Sequence, residues 1–381
     1  MIRDILRGRH VTDPDPRGLR LRGARIDGRL DLENITSSMW LELTDCFLEL
    51  GVNARDADLK GLVLSGSQLN HPTEPPLDGT RLSTTAVFLD RTIIDAHAAE
   101  GAVRLFGAHL GGLECDGARL DNDSGPALYA ERLHVDHDLF LGGDFQATAS
   151  GDDVVLDLSS THIGGVLVLN PNSLQHRTHP HHKLRLDGLT YTGLPREVTP
   201  DQWLALLRHD TIDYAAQPYQ HLAAAHRAAG HDHEARQVLI AQRQDQIRRR
   251  ALTGRTARTW ARLTGLLLGY GYKPWRALIA LAAVLTAAVL AAVVLGGAYG
   301  ALTQIRTPPP ATPVPCTWLE HVGVGLDLGT PLLTTGTRTR CDTTNTGPGH
   351  TLTIIGWTLR LLAWAFATLF IAGFTGAVRK T

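Results

Sequence analysis

Through the first 190 residues apolar and polar positions alternate in a recurring octad, apolar-x-apolar-x-x-x-apolar-apolar or a close variant of it. It reads LRLRGARI at 19 to 26, LELTDCFL at 41 to 48 and LVLSGSQL at 62 to 69, and continues as VFLDRTII at 87 to 94 and VRLFGAHL at 103 to 110. LDLSSTHI at 156 to 163 and LRLDGLTY at 184 to 191 complete the series, with steps near 20 residues or its multiples. A longer echo pairs PPLDGTRLSTTAVFL (75 to 89) with GPALYAERLHVDHDLFL (125 to 141), and GAHLGG (107 to 112) with STHIGG (160 to 165), which marks a duplicated unit of about 52 residues. Short period-two runs broken every few residues by Gly, Asp or Asn describe brief strands and tight corners. A period of this size built from such strands predicts a stacked β-helix over residues 1 to 195, each coil burying its apolar face only against its neighbours. The irregular corner spacing between Ser65 and Ser173 leaves three-sided and four-sided coils both open.

The periodicity then changes. Thr199-Pro200-Asp201 supplies an N-cap, a Pro at the first helical position and an acid in the first turn, so QWLALLRH is expected to be helical. YQHLAAAHRAAGHDHEARQVLIAQRQ (219 to 244) resembles one tetratricopeptide-type hairpin turning at Gly230. One hairpin cannot bury its own face, so residues 199 to 253 read as a structural connector that caps the β-helix, in preference to a peptide-binding groove. Residues 254 to 276 predict a basic amphipathic helix, with Arg255, Arg258 and Arg262 on one side and Trp260, Leu263 and Leu267 on another.

Two apolar runs place the chain among membrane proteins. Ala277 to Leu295 is an uncharged run of 19 residues, which at about 1.5 Å per residue nearly matches the hydrocarbon core. Leu352 to Val378 is similarly apolar apart from Arg360, and Trp275, Tyr299, Trp357 and Trp364 lie near the ends, where amphipathic rings favour the interface. Spans are expected at 277 to 299 and 352 to 378, joined by a loop at 300 to 351. MIRDILRGRH has no apolar core behind its charges, so no cleavable signal peptide is expected and the first span acts as an internal anchor.

Charge orients this arrangement. Residues 1 to 235 carry 21 bases and 34 acids, whereas 236 to 276 carry ten bases and one acid. This collar, which includes Arg248, Arg249, Arg250, Arg255, Arg258 and Arg262, suits anionic headgroups at roughly 1 kcal/mol per base near the surface. With Arg379 and Lys380 after the second run, both termini are expected to be cytoplasmic at the plasma membrane and the loop outside. A disulfide between Cys316 and Cys341 is then expected in the loop, with Cys46 and Cys115 reduced and packed. The acidic N-terminal region disfavours nucleic acid.

Ala57 to Leu69 (ADLKGLVLSGSQL) resembles a pentapeptide repeat, most clearly in ADLKG at 57 to 61. The full layout is similar to actinobacterial two-span membrane proteins that carry a degenerate pentapeptide-like β-helix in the cytoplasm. This resemblance implies a right-handed β-helix, a helical connector and two membrane helices, a mixed β and α fold. Some relatives of this kind carry an oxidoreductase label. Here the G-x-G of GVGLDLG at 323 to 329 follows no strand of a βαβ unit, so no cofactor is expected.

Other candidate chemistry is sparse. His176, His179, His181 and His182 form HxxHxHH, which reads as an exposed loop between coils, with a divalent-metal site as the alternative. His231-Asp232-His233-Glu234 lacks the HExxH spacing, and Asp27, Asp56, Asp116 and Asp187 fall at corners, where Asp favours turns. Without a nucleophile or phosphate-binding motif, catalysis is not expected.

Arg360 carries the remaining question. Mid-bilayer it would cost about 2.5–3.5 kcal/mol, whereas a span shifted to Leu361 to Val378 places it at the interface, which is the preferred reading. A span, a Gly-rich apolar stretch (HVGVGLDLGTPLLTTG, 321 to 336, with Gly323 and Gly325) and a second span also resemble a two-span channel subunit, although T-x-G-[YF]-G is missing. The sequence thus predicts a membrane-anchored scaffold with an unidentified cytoplasmic protein partner. The alternative is a homo-oligomeric pore regulated by the β-helix, and a membrane oxidoreductase ranks last.

Overall fold

The computed structural model describes residues 1–9, 15, 17–249, 275–305, 314–330 and 334–374, which fall into two compact units, residues 1–251 and 252–381. The first unit is a β-solenoid of about seven turns, closed at its C-terminal end by helices. Each later coil has four short sides, and each side joins a parallel ladder running along the solenoid. One ladder stacks Leu30, Val52, Leu77, Val103, Leu128, Leu156 and Leu184, all buried. Another stacks Leu41, Leu62, Val87, Leu113, Leu139 and Leu167. Alternation therefore places one residue of each short strand in a column of aliphatic side chains and in most coils its neighbour toward the surface, with Asp78, Asp157 and Val168 among the buried exceptions.

The steps along the second column are 21, 25, 26, 26 and 28 residues, so the 20-residue period read from the octads describes only the early coils. The cause lies in the corners. Thr36–Thr44 and Asp58–Val63 each run as one strand along two sides, and the latter pairs with both Ser83–Thr84 and Val87–Phe88 of the next coil. From there on a corner separates the two sides and lengthens the coil. The 52-residue echo is two such coils: Leu77 and Leu128 are both neighbours of Val103, and His109 and His162 are both neighbours of His134.

Non-glycine residues hold left-handed corners in two further columns. Asn34, Asp56, Arg81, Arg132 and Ser160 have φ of 53–58° at one corner, and Asp45 and Arg91 have φ of 52–53° at another. This conformation costs an L-residue roughly 1–2 kcal/mol. The ladder offsets the cost, because each corner N–H still donates to the next coil: Arg81 to the Phe106 carbonyl at 2.9 Å and Ser160 to that of Asp187 at 2.7 Å. Cys46 and Cys115 are buried free thiols, and burial pushes the Cys115 thiol well up from its usual range.

Helices pack at both ends of the solenoid. Helix α1 (Ile2–Leu6) buries Leu6 at the first coils, and Arg3 donates to the carbonyls of Asp31 and Glu33 at 3.0 and 2.9 Å. At the other end α2 (Pro200–His209), α3 (Gln217–Ala228) and α4 (Asp232–Arg248) add Trp203, Leu206, Leu207, Tyr219, Leu222 and Val238 to the same apolar core. Thr199 and Gln202 form the capping box of α2. Side chains of α3 satisfy the last coil's open edge: Gln217 accepts from the Gly188 N–H at 3.2 Å and donates to the Leu189 carbonyl at 2.8 Å, while a His221 ring nitrogen lies 2.8 Å from the Tyr191 carbonyl. An edge filled in this way cannot template another strand.

The second unit contains α5 (Trp275–Tyr299), α6 (Trp318–Gly329) and α7 (Gly347–Phe374). Helices α5 and α7 are each long and apolar enough to cross a membrane. Leu302–Gln304 pairs antiparallel with Cys341–Thr343, and a disulfide joins Cys341 to Cys316 just before α6. Although 318–329 lies in the stretch read as an external loop, α6 packs against the middle of α5. A side chain at Gly325 would strike the Val289 backbone at 2.5 Å, and one at Gly329 would meet Ala288 at 3.0 Å. The glycine spacing in HVGVGLDLG makes this close approach of helix backbones sterically available.

Candidate functional site on the outer face of the solenoid

The outward partner of one apolar column is polar throughout, and it turns to histidine in the middle coils. Asp58, Ser83, His109, His134, His162 and Thr190 stack in register. The imidazoles of His109 and His134 lie 4.6 Å apart by ring centroids, and those of His134 and His162 lie 4.8 Å apart. The backbone fixes this order, because buried Leu110, Val135 and Ile163 follow each histidine and force it outward.

Asp136 closes the cluster. Its Oδ1 lies 3.1 Å from His109 Nε2 and 3.3 Å from His134 Nε2, while His162 Nδ1 pairs with Thr190 Oγ1 at 2.7 Å. One ligand atom from each of His109, His134 and Asp136 lies within 4.8 Å of the others. The site is solvent-facing, with His109 on one coil and His134 and Asp136 on the next.

The HxxHxHH segment divides. His176, His179 and His182 draw together, with ring centroids 4.6–6.0 Å apart, whereas His181 turns to Asp210 at 3.5 Å. His176 is buried rather than loop-exposed: a ring nitrogen lies 2.8 Å from the Asp153 carbonyl, and burial lowers its pKa. Its other ring nitrogen accepts from the His179 backbone N–H at 2.9 Å, so both nitrogens already serve the local turn.

A carboxylate group occupies another face, where Asp90 accepts the Asp116 N–H at 3.1 Å. Burial raises the pKa of both Asp90 and Glu114, and nearby carboxylates add to the effect. The cavity between the last coil and the capping helices is lined by Leu184, Asp187, Leu207, Tyr214 and Tyr219. These groups give no nucleophile and base in one cleft.

Arg248 and Arg249 engage groups inside the first unit. Both pair with buried Asp245, at 2.7 and 3.3 Å, and both reach the Arg208 carbonyl, while Arg249 also binds the Leu207 and Thr211 carbonyls at 3.2 and 3.0 Å. They thereby satisfy the C-terminal carbonyls of α2. Asp245 also accepts the Tyr219 hydroxyl at 3.0 Å. Arg250, Arg255, Arg258 and Arg262, with the expected basic helix, lie outside the described residues.

In the second unit Gly323 and Gly325 are buried on α6, where Gly323 abuts Thr337. Asp327 is buried on the same helix and accepts the Thr335 N–H. Arg360 lies half-exposed at the middle of α7, and no acid pairs with it among the described residues.

No protein-family model, curated protein sequence or solved structure matches this chain. The histidine column was missed in the sequence because its members stand 25 and 28 residues apart. The available signal was the echo itself: GAHLGG and STHIGG align His109 with His162, and the coil between them holds His134.

Proposed function

We propose that the chain is a membrane-anchored scaffold whose solenoid presents its outer faces to a protein partner on the cytoplasmic side of the plasma membrane. The observation that carries this reading is the helical packing at both ends of the solenoid: α1 packs on the first coils and α3 fills the last edge, so the polar outer faces are the larger surface left for recognition. The two long apolar helices supply the anchor. The resemblance to two-span proteins with a pentapeptide-like β-helix belongs to the same proposal, supported by the joint presence of a solenoid and these helices.

A second reading rests on α6. A short helix packed through glycines against a spanning helix suits a re-entrant segment, and buried Asp327 with Arg360 at mid-helix would suit an ion path in an oligomer. One experiment separates the two. Light scattering of the detergent-extracted full chain is combined with ion flux after liposome reconstitution, and photo-crosslinkers are placed at outward Ser83 and Phe140 in cells. Crosslinked partners without flux are expected. A tetramer or larger ring whose flux changes in Arg360→Ala would replace the scaffold with a pore.

A further inference from the structure

We infer that His109, His134 and Asp136 form a binding site for a divalent transition-metal ion on the solenoid face. Two imidazole nitrogens approach the same carboxylate oxygen at 3.1 and 3.3 Å. In a tetrahedral zinc site with metal–ligand bonds of about 2.0–2.1 Å, neighbouring ligand atoms stand about 3.3–3.4 Å apart. The observed nitrogen–oxygen separations therefore match two edges of that tetrahedron. The two nitrogens lie within 4.8 Å of each other, and rotation of the exposed imidazoles closes the third edge.

The donor set selects the class of ion. Two imidazoles and one carboxylate suit zinc, nickel or copper, whereas magnesium and calcium require oxygen-rich shells. Metal binding through both Nε2 atoms leaves each ring proton on Nδ1, so the His109 hydrogen bond and the His134 contact with Asp136 give way to two nitrogen–metal bonds. Water takes the fourth position. His162, stacked on His134 and held at Nδ1 by Thr190, shields one flank.

The site joins His109 on one coil to His134 and Asp136 on the next, so the ion acts as a clamp between adjacent coils on the face proposed for partner recognition. The inference does not depend on that recognition. By linkage, an ion that binds only the folded ladder raises its melting temperature. His176, His179 and His182 are the competing cluster, but both His176 ring nitrogens are already committed.

The test uses tag-free full-length protein in detergent, stripped with chelator and dialysed against Zn²⁺, with bound metal counted by atomic emission and the melting temperature read alongside. Co²⁺ substitution supplies a visible spectrum that reports coordination geometry. We expect the wild type to bind Zn²⁺ with a rise in melting temperature, and His134→Ala and Asp136→Asn each to lose one bound ion per chain together with that rise. A His176→Ala/His179→Ala variant keeps both. The Asp136→Asn change preserves shape, so its metal-free melting curve distinguishes lost binding from lost folding. No Zn²⁺ bound by the wild type, retention by both single variants, or loss that follows the His176/His179 pair instead would overturn the inference. Because flux and crosslinking do not enter this experiment, its failure leaves the scaffold reading unaffected.

Discussion

The two units place their side chains in opposite senses. In the solenoid the large aliphatic residues are inside: Leu128, Leu113 and Leu139 are at most 1% exposed, and most charge lies outside, with buried Asp78 and Asp157 paired to Arg55 and Arg185. In the second unit the interior holds Ala288, Ala292, Gly296, His321 and Asp327 beside a small aliphatic cluster that includes Val324, Leu328 and Leu352, while Leu278, Ile279, Leu290, Val294, Ile354 and Ile371 face outward. A fold organised by water hides its leucines, whereas one organised by lipid can display them and keep small or polar residues where backbones meet. Glycine differs as well. The solenoid uses it to ease left-handed corners, as at Gly188, and the second unit uses it for close approach, as at Gly325.

The largest test of this contrast makes the same substitution in both units. Leu128→Ala removes a side chain that is 1% exposed and is expected to cost about 2–5 kcal/mol by transfer and cavity terms. Leu290→Ala, at a position 58% exposed on α5, should cost about half a kcal/mol on a lipid-insertion scale. Introducing charge reverses the emphasis: Leu290→Arg is expected to impair insertion by about 3 kcal/mol. Thermal melting of the detergent-extracted chain checks the first pair, and alkaline extraction of membranes checks the third variant. Equal costs for the two alanine variants would place α5 in a water-excluded protein core and remove the anchor.

The contrast also explains what could be read beforehand. The octads were legible because alternation toward a dry core is a local pattern, and the spans were legible because continuous apolarity is another. Coil length was not, since it depends on whether a corner interrupts a strand such as Thr36–Thr44, and the residues at that corner have no fixed type. The N-cap at Thr199 was visible in sequence, but the use of Gln217 and His221 to fill the open edge was not, because those bonds join residues 28–30 positions apart. The histidine cluster was hidden for the same reason: the long-range register that stacks it leaves no short motif.

A smaller effect follows from histidines held in the water-facing unit. Burial lowers the pKa of His71, His176, His209 and His226 from the ordinary value of 6.5. Their neutral forms are favoured in the folded chain, so the unfolded chain takes up more protons as pH falls through 6.5. The stability they contribute is fully present above that value and is lost below it. Asp90 and Glu114 act in the opposite direction, because their raised pKa favours protonation in the folded state; deprotonation as pH rises above their unfolded values reduces stability. The window just below 6.5 is where the four imidazoles titrate, so the metal-free melting temperature is expected to fall between about pH 7 and pH 5.5. A flat or rising profile there would mean that these rings are solvated and that the capping helices pack less tightly than described.

The smallest effect isolates the corners. Ser160 has φ of 55° in the same column as Gly188, whose φ is 79°, and its N–H donates to the Asp187 carbonyl at 2.7 Å. If the ladder imposes this conformation regardless of side chain, Ser160→Gly removes roughly 1–2 kcal/mol of left-handed cost. It also adds about 0.5–1 kcal/mol of unfolded-state entropy, leaving a modest net gain. The reciprocal change, Gly188→Ala, should lose stability twice over: the new residue takes on the left-handed cost, and its Cβ meets the Ser160 backbone at 3.1 Å. Melting temperatures measured side by side should therefore rise by about 2 °C for the first variant and fall for the second. A fall in both would show that the Ser160 side chain, and not the stacked backbone, holds the corner, and the periodic turn would then be a property of each coil's own sequence instead of the stack.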